Sequence, residues 1–551
     1  MKNDNYIQSN KDILLQIINK IAELKNGSDL NVIKIISKYP SKDSKTFSKS
    51  KVLEAFRLYE SDLNFDDKKK KKFLNLVKMK RVRTWSGVTP VAVLTKPYPC
   101  PGNCIYCPND PLMPKSYLSM EPGAQRAYSN RFDPYLQVYN RLVAYNKIGH
   151  PTDKVELIVL GGTWSFYPED YQLWFIKRVF KAMNDFNPEG KVKYLDKKSI
   201  KKERKVSWKE LEDVQKENEK AKSRCVGLVL ETRPDYISEK ELIRLRKLGA
   251  TKVQIGVQSL DDNVLKMNNR GHGVKETKKA FESLRFAGFK IHAHWMPNLY
   301  GSNPEKDVQD YEKLFSSVDF KPDELKIYPC SLIDNTQLYE LYKEGKWKPY
   351  TEEELLYVLE KCLSFTPRYC RLTRIVRDIS SDDIVAGNKK TNFRQIVQKS
   401  LEEKGIEMKD IRYREIRNRK VNSSELEMII NTYETSVSTE YFFEYVTEED
   451  EVVGFLRLSL PKEKSFIEEI ENTAVIREVH VYGSAVDIGK EEKGKAQHIG
   501  LGSKLMEKAE ELAIESGFKQ ISVISSIGTR EYYKKKGYEI INLYQVKVLK
   551  K

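Results

Sequence analysis

The stretch KPYPCPGNCIYCPND, Lys96 to Asp110, sets three of the chain's seven cysteines within eight residues, spaced C-x3-C-x2-C. Three is an odd number for disulfides and one short of a closed four-ligand zinc site. Thiolates are the usual holders of iron–sulfur clusters. On a four-iron cube, Cys100, Cys104 and Cys107 leave one iron open, and an open coordination position is what a catalytic metal needs. The competing reading is structural zinc with a distant fourth ligand, a His or one of Cys225, Cys330, Cys362 and Cys370. Zinc motifs more often pair their cysteines two by two.

Around this loop lies a repeating pattern. VAVLT, VELIVLGG, CVGLVLE, KVQIGVQ, KIHAHWM and ELKIYP each read as a buried parallel strand, separated by helical stretches such as EKELIRLRKLGA. Six β-α units imply a partial or complete parallel barrel over residues 81–330, with the three cysteines in the loop after its first strand. Gly161-Gly162-Thr163 ends the second strand, where glycine permits close backbone approach. Glu231 to Asp235, Gln258 and Met296 to Asn298 fall at later strand ends, where barrel active sites form. His292 and His294 alternate on one strand and share a face, as core or supporting histidines. The charged insertion LDKKSIKKERKVSWKELEDVQKENEKAK reads as a solvent-exposed helical excursion.

Residues 1–80 have helical periodicity and end in a basic run, Lys68 to Lys72 followed by Lys78, Lys80, Arg81 and Arg83, either a solvated face or a phosphate-binding surface. Residues 331–420 read as an irregular basic linker. From 421 to 551 the pattern is a β-meander, then QHIGLG (Gln497 to Gly502) opening a helix, a further strand, and EYYKKKGY. Glycines at a helix N-terminus let backbone N–H groups meet a pyrophosphate. The length of 551 residues allows two to four domains, and a formal charge of +17 favours a polyanionic partner. No apolar run approaches membrane-spanning length and the N-terminus lacks a signal-peptide core, so a cytoplasmic location is expected.

The C-x3-C-x2-C loop after a first barrel strand resembles the radical S-adenosylmethionine (SAM) enzymes, and the order of elements after residue 421 resembles the GNAT acetyltransferase fold. Their combination is similar to the catalytic subunit of Elongator, the tRNA wobble-uridine acetyltransferase family, through VRTWSGVTPVAVLTKPYPCPGNCIYCP, DKVELIVLGGT, VGLVLETRPDYI, REVHVYGSAV and GTREYYKKKGY. The resemblance implies an α/β chain: a helical basic N-terminal segment in contact with tRNA, a radical SAM partial barrel, and a GNAT domain. It makes Cys100, Cys104 and Cys107 the ligands of a 4Fe-4S cluster and brings Gly161, Gly162 and Thr163 to SAM. Acetyl-CoA contacts fall on Lys154, Glu478, Val479, His480, Val481, Gln497, Gly500, Leu501, Gly502, Ser503 and Tyr533, with Tyr533 and Lys154 the candidate catalytic residues and Tyr532 an alternative. The implied reaction installs a carboxymethyl group at C5 of the first anticodon uridine, with the anticodon stem-loop as partner and an external electron donor. A homodimer and accessory subunits stay open. A protein lysine acetyltransferase with a structural iron–sulfur cluster is the alternative. In that family the linker often carries a zinc-binding cysteine patch; GIEMKDIRYREI has no cysteine, which argues against zinc and leaves Cys330, Cys362 and Cys370 as the nearby candidates.

Overall fold

A computed structural model describes residues 2–24, 28–79, 84, 86–188, 205–417, 421, 423–482 and 500–550. Its centre is a seven-stranded, wholly parallel sheet: β1 (Thr89–Leu94), β2 (Lys154–Leu160), β3 (Arg224–Thr232), β4 (Lys252–Gln258), β5 (Lys290–Trp295), β6 (Glu324–Ile327) and, past the short β7 (Leu332–Ile333), β8 (Arg371–Ile375). They pair in sequence order, and no ladder joins β1 to β8, so the described barrel is partial. The six expected strands are all present. The seventh, β8, comes from the stretch read as an irregular linker. That reading is corrected: 331–420 also holds helices Glu352–Phe365 and Phe393–Glu403, and β9 (Ile384–Ala386) pairs with β7. Short, charge-broken strands such as RLTRI hide the β pattern.

Strand alternation explains both faces of the barrel. Val253, Ile255, Ile291, Ala293, Leu325 and Ile327 point outward into the helices and are buried there. The intervening Lys252, Gln254, His292, His294, Glu324 and Lys326 lie on the opposite, inner face. Gly249 and Gly288, both at positive φ, end the helices before β4 and β5 as C-cap glycines.

The C-terminal domain is a second seven-stranded sheet, ordered β10-β11-β12-β13-β14-β16-β15: β10 (Glu427–Glu434), β11 (Ser438–Val446), β12 (Val452–Pro461), β13 (Ala474–Val481), β14 (Gln520–Val523), β15 (Glu539–Ile541) and β16 (Tyr544–Val548). Every neighbour is antiparallel except β13 and β14. These two pair only from Ala474 to Ile476, whereas β13 runs on against β12 to Val481. The sheet is therefore split beside Glu478–Val481. Helix Leu501–Glu515 packs Leu505, Met506 and Ala509 into that domain's core.

This domain sits on the N-terminal ends of the barrel strands. Arg477 of β13, fully buried, clamps Asp323 at the start of β6 through two bonds of 2.6 and 2.7 Å and reaches Glu440 at 3.0 Å. Arg246 donates to the carbonyls of Leu543 and Ser525. A Cβ on Gly528 would lie 2.6 Å from Arg224 Cβ, so the seam has no slack there.

At the N-terminus, α1 (Lys2–Ser9), α2 (Lys11–Glu23), α3 (Asp29–Lys38), α4 (Lys49–Leu58) and α5 (Asp67–Val77) close a small apolar core of their own around Ile17, Ile18, Val52, Phe56 and Phe73. Two lysines of the basic run turn inward: Lys70 pairs with Glu60, and Lys72 donates to the Ala22 carbonyl. Lys80, Arg81 and Arg83 lie outside the described residues. The charged insertion is described from residue 205. Its helix Trp208–Asn218 buries Leu211, Gln215 and Asn218, and Glu219 pairs with Arg530 of the C-terminal domain, so this half is packed and not a free excursion. Among the described residues no helix is long and apolar enough to cross a membrane.

Candidate active site

Two candidate sites occupy opposite ends of the barrel. At the C-terminal ends of the strands, the loop after β1 carries Cys100, Cys104 and Cys107, all half-buried. Cys104 Sγ accepts a hydrogen bond from Arg270 Nη1 at 3.4 Å, and Cys100 Sγ lies 3.6 Å from Thr163 Oγ1. Burial works to raise the Cys104 thiol, but Arg270 and then Arg233 outweigh it and hold it below its ordinary value. At Cys107 burial and the Cys104 charge outweigh Lys115 and Arg377 and push the thiol up to about 12. A Cβ on Gly102 would meet Arg233 Nη1 at 2.1 Å and push that guanidinium from its place. Gly161 takes φ +129 and packs against Thr95, whose Oγ1 donates to the Gly161 carbonyl at 3.1 Å.

The donor set fits a multi-iron cluster. Three half-buried thiols share one loop, with one guanidinium against a sulfur and a second, Arg233, whose buried Nη1 has no partner among the described residues. Also among those residues, no three His, Cys, Asp or Glu side chains converge as ligands of a single ion. Cys330, Cys362 and Cys370 are buried in apolar packing that raises their thiols, and Cys225 is likewise pushed up to about 12.

At the other end a cavity of about 500 Å³ opens between the two domains. It brings together Lys154, Glu478, Val479, His480, Val481, Gly500, Gly502, Ser503 and Tyr533. Leu501, between the two glycines, turns its side chain into the core instead. Gln497 lies outside the described residues. Gly500 caps the helix Leu501–Glu515 in the left-handed conformation, φ +72, which presents the first helical N–H groups to the cavity. Tyr532 hydroxyl stands 3.3 Å from where a Gly502 Cβ would be, while Tyr533 lies deeper, in the core and along the cavity wall. Glu478 is paired with Lys290 at 2.7 Å and Arg457 at 2.9 Å; burial opposes ionisation, yet Lys290 and Arg457 hold it down at about 2. His480 is lowered to about 4, first by burial, and its Nε2 has no partner among the described residues. It is a neutral imidazole at physiological pH, lining the cavity.

Between the ends, the inner face of β4, β5 and β6 carries polar and charged side chains. Lys252 Nζ bridges Glu156 at 2.9 Å and Glu324 at 2.7 Å. His292 lies 3.3 Å from Glu324 and 2.8 Å from Thr373. Gln254 Oε1 accepts from Lys326 at 2.7 Å and His294 at 3.2 Å, and His294 Nδ1 lies 3.8 Å from Glu231. His292 and His294 thus do have supporting partners, as expected. Glu231 and Arg233 fall in the strand-end stretch singled out from sequence, whereas Arg270 and the lumen residues Lys252, Gln254, Glu324 and Lys326 were missed. Their signal was the two-residue alternation in KVQIGVQ, KIHAHWM and ELKIYP.

Comparison with known proteins then decides the family. Residues 98–314 match the radical SAM superfamily, 322–403 the radical SAM C-terminal domain, and 408–538 the acetyltransferase (GNAT) family. The tRNA uridine(34) acetyltransferase of Methanocaldococcus infernus is 40% identical over 94% of this chain and 98% of its own length. Human Elongator complex protein 3 is 34% identical, covering 98% of this chain and 96% of its own length. The chain belongs to the Elongator complex protein 3 family. The solved structure of the archaeal family member from Methanocaldococcus infernus, with residues 1–46 deleted, superposes with a TM-score of 0.70 at 38% identity, over 84% of this chain and 99% of that one. A family member of this kind carries radical SAM and acetyltransferase domains in one polypeptide, with a 4Fe-4S cluster, SAM and acetyl-CoA as the groups those domains use.

Proposed function

We propose that this protein modifies the wobble uridine of tRNA by joining an acetyl-derived carboxymethyl group to C5 of the base. What carries the reading is the union in one chain of a three-cysteine loop at one end of a polar-lined barrel with a glycine-headed, split-sheet cleft at the other. Relatives named for tRNA uridine(34) acetylation support the substrate. The basic balance of +17 suits a nucleic acid, and a base in a single-stranded anticodon loop can be unstacked into a barrel mouth.

C5 of uridine is a poor nucleophile and an acetyl methyl a very weak acid, so polar steps join them with difficulty. When bound, the cluster and SAM supply one-electron chemistry that takes a hydrogen atom from an unactivated methyl group, the electron coming from an external donor. The chain's own residues do the rest. Cys100, Cys104 and Cys107 would hold the irons, and Arg270, against Cys104 Sγ, would offset the negative charge gathered there. Gly161, Gly162 and Thr163 give SAM a close backbone edge. At the opposite end Gly500 to Ser503 would receive the pyrophosphate of acetyl-CoA, Lys154 would add charge from the barrel side, and Glu478–Val481, past the end of the β13–β14 ladder, would line the thioester arm. Tyr533 forms the inner wall of the cleft.

Lysine acetylation is disfavoured by the same geometry. A general base works best with a pKa near the working pH, and Glu478, locked between Lys290 and Arg457 at about 2, is too weak to take a proton from an ammonium group. Anaerobic reconstitution with iron and sulfide, followed by SAM, reductant, acetyl-CoA and tRNA, tests the function by nucleoside mass spectrometry. Carboxymethyluridine at the wobble position is the expected product. Unmodified uridine with acetyl-lysine accumulating would overturn the reading.

A further inference from the structure

The two sites are separated by the height of the barrel. The cysteine loop follows the C-terminal end of β1, whereas Lys154, Lys252, Lys290, Glu324 and Arg371, at or beside the first residues of their strands, line the cavity shared with the GNAT domain. Strands of 7 residues such as β2 and β4 span about 20 Å end to end at roughly 3.3 Å per step. A route outside the barrel would be longer and would cross the tight seam at Gly528 and Gly288, where an added Cβ would come within 3.0 Å of the neighbouring domain.

A shorter route exists. The cavity that starts at Gly500, Gly502 and Ser503 does not stop at the domain boundary; it continues through Gly227, Glu156, Lys252, Glu324 and Thr373 into the barrel's interior. Gly227 leaves that entrance open, since a Cβ there would press on Glu156 Cγ at 3.3 Å. Beyond Thr373 the interior is crossed by one layer of side chains, Gln254, His292 and Lys326, tied to Thr373 and His294 by hydrogen bonds. Above that layer lie His294, Glu231 and Arg270, and Arg270 touches Cys104. Barrel interiors are ordinarily filled by branched apolar residues. Here the inner positions of β4, β5 and β6 are polar, while Ala92, Ile158 and Val229 of β1 to β3 keep an apolar filling on the other side of the lumen.

We propose that the lower half of the barrel lumen, between Lys252 and the Gln254–His292–Lys326 layer, is the acyl pocket: the thioester arm enters the barrel through the N-terminal ends of its strands and lodges a short acyl group beside Thr373. This rests on the reading that the GNAT cleft binds acetyl-CoA. It adds the path of the arm and a limit on acyl size, because the layer above Thr373 forms the pocket's end.

Chloroacetyl-CoA tests the path without cluster or SAM. A cysteine thiolate in reach attacks its methylene carbon, chloride leaves, and a thioether to the intact CoA ester remains for peptide mass mapping. The full-length Thr373→Cys variant is expected to be alkylated at residue 373 at least tenfold faster than any cysteine of the unsubstituted chain, and acetyl-CoA is expected to suppress the reaction. Val226→Cys, at the cavity's entrance, serves as a second probe should loss of the Thr373–His292 bond impair folding. If acetyl-CoA binding is intact but neither cysteine reacts above background, the lumen is not the acyl pocket. Failure of the wobble-uridine assay with both cysteines labelled would instead discard the proposed reaction and leave the pocket standing.

Discussion

Replacing Arg477 by Met removes the cation that holds the two domains together at their most buried point. Arg477 and Asp323 are both fully inaccessible, and the guanidinium makes two bonds to the carboxylate, one to Glu440 and one to the Phe289 carbonyl. Breaking a buried pair from one side costs about 3–5 kcal/mol, since the other charge is left uncompensated. Asp323 retains Arg457 at 3.5 Å and the Ile291 N–H at 2.9 Å, and Glu440 retains Arg285 at 3.3 Å. The lower end, about 3 kcal/mol, is therefore expected. For a cooperative unit of 150–250 residues this is roughly 6–12 °C in Tm, read by scanning fluorimetry at fixed pH.

The sharper readout is non-additivity. Asp323→Asn together with Arg477→Met removes both charges and is expected to cost less than Arg477→Met alone, with the difference appearing as a coupling of the two sites. The acid limb carries an independent signal. Burial opposes ionisation of Asp323, but Arg477 and Arg457 hold its carboxyl well below the ordinary value. Its contribution is thus complete above the unfolded pKa and is lost as pH falls toward the folded one. Arg477→Met relaxes that depression and moves the loss to higher pH. Strict additivity, or an unchanged acid limb, would refute the clamp.

Cys104→Ser is expected to abolish iron retention and SAM cleavage while acetyl-CoA binding, some 20 Å away by strand length, is unchanged; iron analysis and calorimetry read the two ends separately. Gly161→Ala places a Cβ 2.0 Å from Thr95 Oγ1 at φ +129 and is expected to destabilise the SAM end by roughly 1–3 kcal/mol, lowering SAM affinity before acetyl-CoA affinity. His480 binds protons less readily folded than unfolded, so its contribution to stability is whole above the unfolded pKa and falls away as pH drops from there toward about 4. His480→Asn is expected to lose less stability than the parent between pH 7 and pH 5, as measured by Tm.

The sequence was informative where one residue type has few physical uses. Three clustered thiols admit few fates. The apolar halves of the six strands were equally plain, since their outward residues face helices. β8 was hidden because its inner and outer positions, RLTRI, leave only Leu372 and Ile375 as apolar signals. The lumen was missed for a related reason. Lys252, Glu324 and Lys326 look like surface residues in a linear reading, and nothing in the chain states that their partners, Glu156 and Gln254, come from other strands. Arg477 gave no hint at all, because its partner Asp323 lies 154 residues earlier in the chain.

That contrast bears on why the barrel tolerates so much charge inside. A buried ion pair is a poor source of stability beside apolar packing of equal volume. Lys252 is held charged by Glu156 and Glu324 against burial, whereas Lys326, with Glu231 as its main support, falls to about 8. Lys252 is thus fixed as a cation in the lower half, whereas Lys326 in the dividing layer is the more readily neutralised of the two. A pocket that must hold a reactive arm still gains from the first condition. Lys326, held to Gln254 by one hydrogen bond, is less tightly tied than Lys252 between its two carboxylates. The polar interior is a destabilising choice for a barrel that only had to fold, and it becomes intelligible once both ends of the same strands have chemistry to share.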